Sequence, residues 1–246
     1  MDIIKSVIVW IIALSFMVLF FPLTFIIWLL LLPFDRERAF VHWSLVYQSV
    51  FLTWLLPIWK TDIRGLEKII RGTTYVIISN HQSMLDTILI NNLRYRYKWI
   101  SKIENEKVPF IGWYLKMADY ISVNRGDEQS KAVMLEKSLD CLRRGTSIMI
   151  FPEGTRSVDN EIGFYKRGAF QLAMQANVPI LPVLIDGTGG ILPKHGLRIG
   201  NGYKINIRVF DPILPSSFGT ENPDELAKEI HDRMAAGLKT LRGGDR

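Results

Sequence analysis

From Val7 to Leu32 the chain carries 26 consecutive residues without a charge. As a helix this run measures about 39 Å against a hydrocarbon core of about 30 Å, so it predicts a membrane-seeking helix. Pro22 lies in its middle, where a missing backbone donor predicts a kink. After the polar link Asp35-Arg-Glu-Arg38, a second apolar and aromatic run extends from Val41 to Trp59. His42, Ser44, Gln48, Ser49 and Thr53 interrupt it, which predicts a more amphipathic helix. Residues 1–59 are therefore expected to form a two-helix membrane anchor, either spanning twice or lying in one leaflet. Trp10, Trp28, Trp43, Trp54 and Trp59 all fall in these two runs, which suits a membrane–water boundary.

Past residue 60 the periodicity changes. Short β-rich runs bounded by turn residues fall at Tyr75–Ser79, Lys98–Ser101, Tyr120–Val123, Ser147–Phe151, Ile180–Ile185 and Lys204–Phe210. Helical patterns lie between or after them at Met84–Leu93, Phe110–Met117, Gln129–Arg143, Tyr165–Gln175 and Pro223–Leu241. Strands alternating with helices predict an α/β domain over residues 60–246, a mostly parallel sheet with helices on both faces. The tail Arg242-Gly-Gly-Asp-Arg246 is expected to fray.

The formal charge is +6, and residues 1–59 contribute nothing to it, with Lys5, Arg36 and Arg38 against Asp2, Asp35 and Glu37. A basic body beside an apolar head suits an anionic partner: a lipid surface, a phosphorylated substrate or a nucleic acid. The same asymmetry predicts a body facing the cytoplasm at the cytoplasmic membrane. Cys141 is the only cysteine, which excludes an intrachain disulfide and a thiolate zinc site. The four histidines are scattered, with no His-Glu-x-x-His, so no metal is expected.

In a parallel sheet, ligands bind beyond the carboxyl ends of the strands. Two segments occupy that position: Asn80-His-Gln-Ser-Met-Leu-Asp86 and Phe151-Pro-Glu-Gly-Thr-Arg-Ser157. Ser83 and Asp86 have the spacing of a capping box, which by itself asks for no chemistry. First-turn side chains lean toward the helix start, however, so Asp86 can also hold one imidazole nitrogen of His81. That pairing is the base half of a triad. With no Gly-x-Ser-x-Gly elbow and Cys141 inside a helix pattern, the group to be activated would belong to a substrate. The loop Gly187-Thr-Gly-Gly190 lacks a Walker lysine and reads as a turn.

His81 and Asp86 match the His-x4-Asp motif of the glycerophospholipid acyltransferases, and the chain resembles the 1-acylglycerol-3-phosphate acyltransferases in three further blocks. These are Lys102 with Pro109-Phe-Ile-Gly-Trp113 and Ile121-Ser-Val-Asn-Arg125, then Phe151–Ser157 continuing into Tyr165-Lys-Arg-Gly-Ala169, then Val178-Pro-Ile-Leu-Pro-Val183. Asn124 departs from the Asp that many members carry before the Arg. The resemblance implies acyl transfer from acyl-CoA or acyl carrier protein to lysophosphatidic acid, with no cofactor and no nucleic acid. It implies His81 as general base oriented by Asp86. It also implies acceptor binding by Glu153, Gly154, Thr155 and Arg156 with Lys102, and by Arg125 and Lys166 in second rank. A different acceptor, such as glycerol-3-phosphate or another lysolipid, keeps the same chemistry, and a non-catalytic lipid-binding protein keeps only the fold.

Overall fold

The computed structural model describes residues 3–56, 58–200 and 204–244. Its centre is a strand, β2 (Val76–Ser79), fully buried on both faces. Val76 and Ile78 point to one face and Ile77 to the other, the period of two that a pleated strand imposes. β5 (Ser147–Ile150) and β6 (Ile180–Asp186) flank it in parallel, and β3 (Tyr97–Lys102) and β4 (Ile121–Val123) extend the β5 side in parallel. On the other side β7 (Lys204–Val209) runs antiparallel to β6, and β1 (Lys60–Arg64) runs parallel to β7. The order is β1-β7-β6-β2-β5-β3-β4, a mixed sheet that is mostly parallel, as the alternation of elements predicts.

β1 is a strand the periodicity does not show. Lys60-Thr-Asp-Ile-Arg64 lies at the sheet edge with its residues exposed or half-buried, so it carries no apolar run to read. The aliphatic strand centres are read correctly because helices cover both faces. Ile77, Met149, Leu181 and Val183 pack toward the N-terminal helices, whereas Val76, Ile78, Ile148, Ile180 and Leu184 pack under α5 (Glu128–Arg143), α6 (Gly168–Ala176) and α8 (Pro223–Gly244). The predicted helix from Tyr165 begins only at Gly168, because Lys166 N–H donates to Pro152 O at 3.0 Å and holds the preceding residues extended. The predicted fraying at Arg242 is also overturned. Its guanidinium binds Asp186 at 2.9 Å, Glu161 at 2.6 Å and the Asn160 carbonyl at 2.8 Å, which extends α8 through Gly244. Asp245 and Arg246 lie outside the described residues.

α1 (Ile3–Leu31) passes through Pro22 as one helix and is the single described helix long and apolar enough to cross a membrane. Ile4, Leu19 and Leu30 are among its exposed residues, while Val9, Trp10 and Ile12 pack on the body. α2 (Ala39–Leu55) uses the polar residues that interrupt its sequence. Gln48 Nε2 donates to Thr24 of α1 at 3.0 Å, Tyr114 OH meets Gln48 Oε1 at 3.2 Å, and His42 bridges Tyr120 OH and Tyr95 O at 2.9 and 2.8 Å. The two helices thus share core and hydrogen bonds with α4 (Ile111–Met117) and the β3–β4 side of the sheet.

Candidate active site

β2, β5, β6, β3 and β4 all run the same way, so the segments after them share one rim. His81 follows the central strand. Its Nδ1 lies 2.8 Å from Asp86 Oδ2, and its ring stacks on Phe151 from the β5 loop at 3.9 Å and 7°. Nε2 makes no hydrogen bond among the described residues. Asp86 is wholly buried and opens α3 (Asp86–Leu89), which tightens into a 3₁₀ turn at Ile90–Leu93 rather than running helical to Leu93 as predicted.

The capping box forms only in part. Oδ2 of Asp86 reaches back to the N–H of Gln82 at 2.7 Å and of Ser83 at 2.8 Å. The cap position falls at Leu85, while the Ser83 hydroxyl accepts from Leu85 N–H at 3.2 Å and donates to Leu192 O at 2.8 Å. Asp86 Oδ1 accepts from Thr188 Oγ1 at 2.6 Å. Thr188 opens α7 (Thr188–Ile191) directly after β6, so the loop read as a turn supplies a buried second anchor for the carboxylate. With Nδ1 donating to Asp86, the imidazole is fixed in the tautomer that leaves a lone pair on Nε2, as a general base requires.

The β5 loop has two functions. Ser157 N–H donates to His81 O at 2.7 Å, and Glu153 Oε1 accepts from His81 N–H at 2.8 Å while its Oε2 accepts from Gly163 N–H at 3.0 Å. Glu153 is therefore a buried clamp on the backbone of His81. Burial, with the charge of Asp86 assisting, pushes its carboxyl from 4.5 up to about 7, against the amides of His81 and Gly163. A raised carboxyl pKa contributes stability below about 4.5 that is lost as pH rises through about 7. Glu153→Gln is accordingly expected to flatten the Tm–pH profile across that window, at a uniform cost from one lost amide bond. An unchanged slope would refute the assignment.

Around this clamp lie the cations. Gly154 sits in a turn at φ +69°, where a Cβ would come within 2.9 Å of Lys166 Nζ, and its carbonyl accepts from Arg125. Arg156 and Lys166 make no ion pair among the described residues, whereas Lys102 pairs with Glu104 at 2.9 Å. Thr155 is exposed beside them. Arg125 and Lys166 thus converge on the Phe151–Arg156 loop, while Lys102 stands two strands from His81, about 10 Å away by strand spacing. No group of three or more His, Cys, Asp or Glu able to hold a metal occurs among the described residues.

A sequence profile described as Acyltransferase matches residues 60–186. The chain belongs to the acyltransferase family. It is 34% identical over 211 residues to a chloroplastic 1-acyl-sn-glycerol-3-phosphate acyltransferase of Brassica napus, covering 85% of this chain and 60% of that protein. It is 30% identical to a probable 1-acyl-sn-glycerol-3-phosphate acyltransferase of Mycoplasma genitalium, covering 81% and 78%. The crystal structure of the 1-acyl-sn-glycerophosphate acyltransferase PlsC of Thermotoga maritima superposes with a TM-score of 0.83 at 26% identity, over 98% of this chain and 96% of that one. The chain spans only about 60% of the length of the plant and algal relatives it matches.

All four sequence blocks lie inside the span matched to the acyltransferase family. Thr188 lies two residues beyond it, in the glycine-rich loop that reads as a turn, and its place after a rim strand is what brings it to Asp86. Thr188→Val removes the donor without changing side-chain size. It is expected to lower kcat about tenfold with KM little changed if His81 is the base, because it loosens the carboxylate that holds the His81 ring. Thr188→Ser should restore most of the loss, and equal kcat in the Val variant and wild type would exclude the role.

Proposed function

We propose that this protein transfers a fatty acyl group from a thioester to the sn-2 hydroxyl of 1-acyl-sn-glycerol 3-phosphate, giving phosphatidic acid. The observation that carries the reading is the oriented base. His81 is held through Nδ1 by a buried carboxylate, with Nε2 unpartnered among the described residues and uncompensated cations on the adjoining loop. Nε2 takes the proton of the acceptor hydroxyl as its oxygen attacks the thioester carbonyl. Collapse of the tetrahedral adduct breaks the C–S bond, and the imidazolium returns the proton to the leaving thiolate. Arg156 supplies a planar fork for the acceptor phosphate, with Lys166, Arg125 and Lys102 adding charge. No cofactor enters these steps. The donor is acyl-CoA or acyl carrier protein, and no nucleic acid takes part.

The lipid substrates place the enzyme at a membrane. α1 supplies the anchor through its exposed apolar face, and the positive excess of residues 60–246 favours the cytoplasmic side. The test is mass spectrometry of products made by the purified full chain from lysophosphatidic acid and a mixture of acyl-CoA and acyl carrier protein donors. Phosphatidic acid is the expected product. Acylation of glycerol-3-phosphate alone would move the acceptor, and no product with any acceptor would leave a lipid-binding protein.

A further inference from the structure

At the edge of the sheet opposite His81, the segments that lead into β2, β3 and β5 enclose two adjoining clefts, of about 420 and 240 Å³. Arg71, Arg94 and Tyr95 line both, and Arg96 lines the smaller. No acidic side chain lines either one. Arg71 and Arg94 make no ion pair among the described residues. Arg96 Nη2 is buried with no hydrogen-bond partner, and its one counter-charge, Glu37 in the α1–α2 turn, stands back at 3.7 Å. The Arg96 side chain is 35% exposed, so a guanidinium whose counter-charge stands beyond hydrogen-bond distance adjoins two uncompensated charges.

The larger cleft continues away from the arginines along an apolar wall of Ile63, Leu66, Ile69 and Leu93. Ile70, next to that wall, is 62% exposed. The smaller cleft is bounded by Trp43 of α2, so the arginines adjoin the element that packs against α1. A cationic end joined to an apolar trough fits an anionic head carrying a hydrocarbon chain, whereas a free phosphate would use only the first part. We propose that this edge is a second, non-catalytic site that binds an anionic phospholipid, with the phosphodiester on Arg71, Arg94 and Arg96 and an acyl chain along Ile63, Leu66, Ile69 and Leu93. The site lies a full strand length from the catalytic rim and shares no side chain with it. It also gives part of the basic excess of the body a use that acceptor binding does not.

The experiment is calorimetric titration of the full chain in neutral detergent with dihexanoylphosphatidylglycerol, a diester that is neither acceptor nor product. The expected result is 1:1 binding that weakens about tenfold or more when Arg71→Ala and Arg94→Asn are combined, asparagine being chosen because Arg94 sits at φ +46°. Arg156→Ala at the catalytic rim should leave that affinity unchanged. Three outcomes would overturn the proposal: equal affinity for dihexanoylphosphatidylcholine, inorganic phosphate binding as tightly as the lipid, or a loss that follows Arg156 rather than the arginine pair. Both altered arginines are exposed, and an unchanged Tm of the double variant separates lost binding from lost folding.

Discussion

His81→Ala is expected to reduce kcat for lysophosphatidic acid acylation by about 10²–10⁴ while leaving the protein folded. In the proposed reaction, the activity loss follows from the proton that Nε2 accepts as the acceptor oxygen attacks. Without it the hydroxyl has to be deprotonated by water, at a large penalty near neutral pH. The fold survives because the backbone of His81 is held independently of its ring. Its N–H donates to Glu153 and its C=O accepts from Ser157, both unaffected by truncation at Cβ. The ring contributes one hydrogen bond and its stacking on Phe151, and Asp86 keeps three other donors when the ring is gone. Steady-state kinetics beside a thermal melt check both halves. Retention of more than half the wild-type kcat, with a normal melt, would remove His81 from the mechanism.

The same residues show what a sequence can and cannot disclose. β2, β5 and β6 are legible because they are apolar on both faces, and the rim they end on follows from their shared direction. His81 and Asp86 are legible because five residues of local chain bring them together. Glu153 is visible as a carboxylate in a loop, but its partners are amides at positions 81 and 163, set by the approach of the β5 loop to the β2 loop. Local spacing carries no trace of that approach. Thr188 depends on a contact across 102 positions, and Arg242 on contacts across 56 to 82. A basic residue near a chain end looks solvated until the fold brings Asp186 and Glu161 to it. β1 fails for the opposite reason: an edge strand needs little apolar surface, so its sequence offers no periodicity to detect.

Asp86 should behave differently from His81, and the difference separates orientation of the base from maintenance of the fold. Its carboxylate has no exposed surface and accepts four hydrogen bonds, from His81 Nδ1, the N–H groups of Gln82 and Ser83, and Thr188 Oγ1. Asp86→Ala leaves these donors buried without an acceptor, and removal of one partner from such a cluster costs about 3–5 kcal/mol. In a chain of 246 residues that corresponds to a fall in Tm of about 10 °C, besides the loss of activity. Asp86→Asn keeps one oxygen for the backbone amides, and its amide can donate to Thr188 in place of the present bond. It should therefore recover much of the stability but not the activity, because its neutral oxygen no longer stabilises an imidazolium at His81. The expected order of Tm is His81→Ala, then Asp86→Asn, then Asp86→Ala, with all three catalytically impaired. If Asp86→Ala melts no earlier than His81→Ala, the carboxylate is not the structural hub that its four bonds indicate. If Asp86→Asn turns over at the wild-type rate, orientation of His81 does not depend on its charge.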